Sequence, residues 1–127
     1  MTTLTNQITE AQEIIEEVLS TGAPASVTSS FQTECMVLVH MVTQQQPDIP
    51  VLFLDTGYHF QETYEYRDRM ATEWNLNLTN LLPKQTVAEQ ESQFGILYQS
   101  APDRCCGFRK VEPLFRAVAN YDVWFTG

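Results

Sequence analysis

Residues 50–60 read PVLFLDTGYHF, and the break between Leu54 and Asp55 decides the fold. Val51 to Leu54 are apolar without interruption, lacking the alternation of a strand that keeps one face in water. Such a run is covered on both faces, as in the middle of a parallel sheet. Asp55, Thr56 and Gly57 then supply the chemistry of a turn. Parallel neighbours need crossover connections, and the flanking sequence offers them. Upstream, ASVTSS (25–30) is short and partly β-branched, a strand. FQTECMVLVHMVTQQQ (31–46) is too long for a strand and lacks its period of two, so it reads as a buried helix, and Pro47 and Pro50 bracket the turn that follows. Downstream, a helix is expected over 61–74, a third strand over 75–82, and a capping box at Thr86 and Glu89 opens another helix. YDVWFTG (121–127) reads as a fourth strand. Ahead of all this, apolar residues at 8, 11, 14, 15, 18 and 19 mark one helical face, ended by TGAP (21–24). Strands alternating with helices predict an α/β protein whose sheet is joined by crossover connections.

The chain has 127 residues, of which 43% are apolar, enough for one continuous core, so a single domain over 1–127 is expected. Seven basic against sixteen acidic residues give a formal net charge of −9, which leaves no basic stripe for nucleic acid. The N-terminus is acidic where a signal peptide is basic, and no apolar run approaches the roughly 18 residues of a membrane span. A cytoplasmic protein without nucleic-acid or membrane partners is the expectation. The chain stops directly after its fourth strand, which predicts a fold truncated there and incomplete at its C-terminus.

In open parallel sheets, ligands bind beyond the carboxyl ends of the strands. Three such ends are polar here: TSSFQTE (28–34), DTGYHF (55–60) and FTG (125–127). The first offers hydroxyls and a helix N-terminus suited to phosphate or sulfate, although for this segment alone Ser30 or Thr33 acting as a plain N-cap is the simpler explanation. In the second, Asp55 is placed to accept from a ribose or amine, and Gly57 to let a ligand approach the backbone; a simple strand-ending turn is the alternative. His40 reads as a core histidine and Cys35 as a small buried residue. His59, beside the Asp55 loop, is near enough to meet a ligand but carries no assignment.

Cys105 and Cys106 stand apart from this background. Arg104, Arg109, Lys110 and Arg116 are four of the seven basic residues, all within 104–116. Cations stabilise thiolates, and metal or iron-sulfur centres require them. Adjacent cysteines on a helix diverge by about 100°, which suits a compact multi-iron cluster better than one tetrahedral ion. Two core cysteines that happen to be neighbours, and an exposed helix face with Arg109 paired to Glu112, are the competing explanations.

Taken together, SSF (29–31), PVLFLDTGYHFQETYEYRD (50–68), PDRCCGFRKVEPL (102–114) and YDVWFTG (121–127), in this order, resemble the assimilatory sulfonucleotide reductases, which act on adenylyl sulfate or phosphoadenylyl sulfate. The resemblance implies an adenine-nucleotide alpha-hydrolase-like fold, an α/β doubly wound parallel sheet, with a sulfonucleotide-binding domain. It implies substrate contacts at Ser29, Ser30 and Phe31, at Leu54, Asp55, Thr56 and Gly57, and at Arg109. It makes Cys105 and Cys106 half of the ligand set of a 4Fe-4S cluster, found in the adenylyl-sulfate branch, and sets Lys110 between cluster and substrate as the catalytic cation. The implied reaction is thioredoxin-dependent reduction of adenosine 5'-phosphosulfate to sulfite and AMP, with a homo-oligomer left open. Gln32 stands where many members carry glycine. With three cysteines in all, the chain is expected neither to complete the cluster nor to turn over alone. A phosphoadenylyl-sulfate reductase, or a shortened nucleotide-binding or interaction module without the chemistry, are the alternatives. An adenylating pyrophosphatase is disfavoured, because no SGGxDS loop is present.

Overall fold

The structure, a computed structural model, describes residues 2–127. Four parallel strands, β1 (Ala25–Thr28), β2 (Pro50–Leu54), β3 (Asn77–Leu81) and β4 (Val123–Phe125), form one sheet in the order β3-β2-β1-β4. The register pairs Val27 with Val51 and Phe125, and Leu54 with Leu81. All four strands coincide with the segments expected from sequence. So do α1 (Thr2–Leu19), α2 (Thr33–Gln45), α3 (Gln61–Glu73) and α4 (Val87–Phe94). At the start of α4 the capping box is complete: Thr86 Oγ1 accepts from the Glu89 N–H at 3.1 Å and Glu89 Oε1 from the Thr86 N–H at 3.2 Å. Short helices α5 (Leu97–Ser100) and α6 (Pro102–Cys106) follow, then a π-helical turn over Gly107–Val111 that runs straight into α7 (Glu112–Val118). Among the described helices, none is long and apolar enough to cross a membrane.

Side chains alternate across a strand, and the central strands use both directions. On one face Val27 and Val51 pack with Ile15 of α1 and Val39 and Val42 of α2 in one apolar cluster, and Phe53, two residues beyond Val51, extends that face into a second with Phe31, Met36 and Met70. Leu52 is equally buried, at 1% exposure, so the run Val51 to Leu54 is covered on both faces as its composition demands. The stripe on α1 is narrower than its spacing suggested: Ile15 is buried and Leu19 packs on the core, but Ile8 and Ile14 face solvent. His40 is also exposed, its ring 5.6 Å from that of Trp74, which corrects the expectation of a core histidine. Neither Ser30 nor Thr33 caps α2; Gln32 holds the N-cap position without a side-chain bond.

From β1 the chain builds outward through β2 to β3, then returns across the sheet to add β4 on the opposite side of β1. The strand order therefore reverses between β1 and β4, and the crevice beyond their carboxyl ends is where doubly wound sheets hold ligands.

Candidate functional site

The turn after β2 is wired from within. Asp55 Oδ1 accepts from the Gly57 N–H at 3.2 Å and from the Tyr64 hydroxyl at 2.7 Å, and Thr56 Oγ1 accepts from the Tyr58 N–H at 3.2 Å. Burial, and then the Asp55 carboxylate that accepts its proton, raise the Tyr64 phenol above its ordinary value of 10.0. His59 Nε2 lies 2.8 Å from the Leu54 carbonyl oxygen. Gly57 has φ +83°, and a Cβ there would meet Val87 Cγ2 at 2.6 Å and the Arg109 guanidinium at 2.9 Å. The space beside Gly57 is thus filled by the protein, and its missing side chain admits Arg109 where a ligand was expected.

In the loop after β1, Ser29 Oγ accepts from the Phe31 N–H at 3.0 Å and Phe31 takes φ 63°, an unfavourable backbone for a bulky residue. Its ring is 6% exposed and packs edge-on against Phe53 at 5.7 Å, which holds the loop in that shape.

Arg109 is the most constrained charge in the molecule. It is only 4% exposed, donating from Nε to the Thr56 carbonyl at 2.7 Å and from one terminal nitrogen to the Gln85 carbonyl at 2.6 Å and to Gln90 Oε1 at 3.3 Å. The alternative pairing with Glu112 does not form; Glu112 meets Arg116 at 3.1 Å and Lys84 at 3.7 Å instead. Gln90, fully buried, turns its amide nitrogen to Cys105 Sγ at 3.7 Å. A continuous polar chain therefore joins the Asp55–Gly57 turn to the first cysteine through Arg109 and Gln90. Sequence reasoning passed over Gln90 entirely; its only signal is its position one residue after the capping-box Glu89.

Two cavities at this end of the sheet share a wall. One, of about 530 Å³, contains Cys105, Cys106, Tyr58 and Tyr98. The other, of about 330 Å³, lies at the strand-order reversal and is lined by Thr28, Ser29, Ser30, Leu54 and Trp124. Thr56, His59 and Lys110 line both. Of the residues singled out from sequence, Cys105, Cys106, Arg109 and Lys110 face the first cavity, and Ser29, Ser30, Leu54 and Lys110 the second, with Thr56 shared. Phe31, Asp55 and Gly57 line neither and shape the loops from behind. Cys35 is half-buried rather than enclosed: it lines the second cavity with Sγ 3.4 Å from Ser30 Oγ.

Cys105 is buried and Cys106 exposed, and both reach one cavity beside Lys110. As donors they suit two corners of a thiolate-ligated cluster, and an amide N–H on the Cys105 sulfur is the kind of outer contact such ligands take. Among the described residues no group of three or more His, Cys, Asp or Glu side chains is arranged to hold a metal, so these residues do not form a complete site.

Comparison with known proteins agrees with this architecture. The family model for the phosphoadenosine phosphosulfate reductase domain matches residues 24–127. An adenosine 5'-phosphosulfate reductase from a Chelativorans species is 48% identical over 107 residues, which cover 84% of this chain and 43% of that protein. One from Streptomyces coelicolor is 43% identical over 119 residues, covering 92% of this chain and 50% of that one. The chain thus spans about half the length of the curated relatives it matches. A crystal structure of phosphoadenylyl-sulfate reductase from Candida auris, a phosphate complex, superposes with a TM-score of 0.79 at 26% identity, covering 91% of this chain and 59% of that one. With this match across four-fifths of its length and the same parallel sheet, the chain belongs to the phosphoadenosine phosphosulfate reductase domain family.

Proposed function

We propose that residues 1–127 are the sulfonucleotide-binding part of a cytoplasmic adenylyl-sulfate reductase of sulfate assimilation, one that converts adenosine 5'-phosphosulfate to sulfite and AMP. The observation that carries this is Lys110, which stands in the wall common to the hydroxyl-lined cavity and the cysteine cavity. A substrate whose sulfate-phosphate anhydride points at that wall meets a cation, the Ser29 and Ser30 hydroxyls, and the first-turn N–H groups of α2, which no side chain caps. In the proposed reaction a cysteine thiolate outside residues 1–127 attacks sulfur, the sulfur–oxygen bond to phosphate breaks, and AMP leaves with the electron pair. A thioredoxin dithiol then reduces the S-sulfocysteine, releasing sulfite, restoring the cysteine and becoming a disulfide. Lys110 stabilises the charge that gathers on the leaving phosphate. Cys105 and Cys106 serve as two of four thiolates of a 4Fe-4S cluster. The cysteine pair followed by Arg109 and Lys110, and the names of the most similar relatives, favour adenylyl sulfate over phosphoadenylyl sulfate.

A second reading, a nucleotide-binding module without the chemistry, is favoured by the incomplete metal-ligand set among the described residues. Calorimetric titration of the chain with adenosine 5'-phosphosulfate and with its 3'-phosphorylated analogue tests the assignment. Saturable binding with preference for the former is expected. Preference for the analogue would reassign the substrate, and binding of neither would remove both readings.

A further inference from the structure

His59 is the one aromatic heterocycle in the wall between the two cavities, and the proposed reaction gives it no part. A carbonyl oxygen only accepts, so the 2.8 Å contact with Leu54 places the proton of the neutral ring on Nε2 and leaves Nδ1 as an acceptor. The ring cannot readily turn: it lies 5.0 Å from Phe53 and 5.7 Å, edge-on, from Tyr64. Nδ1 has no hydrogen-bond partner among the described residues, and it is not among their buried unpartnered polar atoms, so it keeps some exposure on a ring that lines both cavities. A fixed, unpartnered acceptor at a ligand-sized opening is a group waiting for a donor.

The second cavity identifies that donor. Ser29, Ser30 and Lys110 give it polar lining for an anion, and Leu52, Phe53 and Leu54 give it apolar lining for a base. His59 joins the two, touching Phe53 and Leu54 while sharing the wall with Lys110. In a 5'-nucleotide the group between base and phosphate is the ribose. We propose that His59 is a specificity-determining residue whose Nδ1 accepts a hydrogen bond from a ribose hydroxyl of the bound nucleotide. This rests on the sulfonucleotide-binding reading above.

The test is a cycle between protein and ligand, read by calorimetry of the chain with AMP, 2'-deoxy-AMP and 3'-deoxy-AMP. In His59→Gln the amide nitrogen can still donate to the Leu54 carbonyl, but the acceptor at the Nδ1 position is lost. The variant is expected to keep the wild-type melting temperature and to bind AMP about three- to tenfold more weakly, the scale of one neutral hydrogen bond. Wild type should lose a similar factor with one of the deoxynucleotides, and His59→Gln should show no further loss with that one. Equal binding of AMP by variant and wild type, or losses that multiply independently, would overturn the inference and leave nucleotide binding standing. Failure of wild type to bind either adenosine 5'-phosphosulfate or AMP would overturn both. Should the variant not fold, the ¹⁵N resonance of His59 Nδ1 in wild type decides: it is expected to shift on adding AMP but not on adding the weak deoxynucleotide, and no shift with AMP contradicts the contact.

Discussion

At Gly57 two independent restrictions meet. Its φ of +83° lies where side-chain-bearing residues are strained, and a Cβ added there would stand closer to Val87 and the Arg109 guanidinium than real Cβ atoms come to their neighbours. Gly57→Ala should therefore cost about 2 kcal/mol or more of folding stability, measured by urea denaturation, from backbone strain plus displacement of Arg109. Arg109 itself holds two backbone carbonyls and Gln90 in a space with no counter-carboxylate in contact. Removing it leaves buried acceptors unpaired, so Arg109→Ala should lower stability by about 3 kcal/mol in the same assay, and Arg109→Lys should not restore it, since one ammonium cannot span the fork. This position also marks where sequence reasoning stops. Arg109 stands beside two thiols in a basic run, which points to a ligand; only the fold shows its guanidinium turned inward to Thr56 and Gln85. Cys35 and His40 follow the same logic in reverse. An apolar neighbourhood in sequence suggested burial, and a helix that packs one face of its surface left both short of it.

The segment from Pro102 to Val118 shows how an element produces chemistry. Pro113 has no N–H to give to residue 109 and its ring crowds that carbonyl, and just before it the Glu112 N–H bonds the Gly107 carbonyl, five residues back. The proline thus accounts for a π turn inside the helical run, and such turns concentrate at functional sites. Three residues of the run are buried, Cys105, Arg109 and Pro113, and the first two meet Gln90. Cys106 and Lys110, both exposed, line the first cavity. Within this turn Gly107 has ordinary right-handed helical angles, φ −59° and ψ −47°, and a Cβ there would meet nothing within 4 Å. Gly107→Ala should stabilise the chain by about 0.5–1 kcal/mol, the opposite sign to Gly57→Ala. The strands were legible because uninterrupted apolar runs have few alternatives, and α4 because its capping box is local. The π turn was not, since it depends on a proline acting through carbonyls that a residue pattern does not display.

For the whole molecule, the strand order β3-β2-β1-β4 is what brings the sequence motifs together. Building β2 and β3 on one side of β1 and β4 on the other leaves the turns at 29–31 and 55–57 and the run from 105 to 110 around one end of the sheet. A chain of net charge −9 repels an anionic nucleotide overall, so the proposed recognition would fall to local groups: Lys110, the serine hydroxyls and the open N-terminus of α2. Sequence motifs pointed to each of these pieces, but not to the sharing of one wall by two cavities, which places the Lys110 cation between the hydroxyl-lined cavity and the thiols. The most direct measurement is the affinity of adenosine 5'-phosphosulfate for wild type and for Lys110→Ala, whose exposed side chain can be removed without disturbing the core. Loss of one charge-assisted contact should weaken binding about tenfold to a hundredfold with an unchanged melting temperature. Equal affinity of the two proteins would contradict a substrate anhydride seated at Lys110.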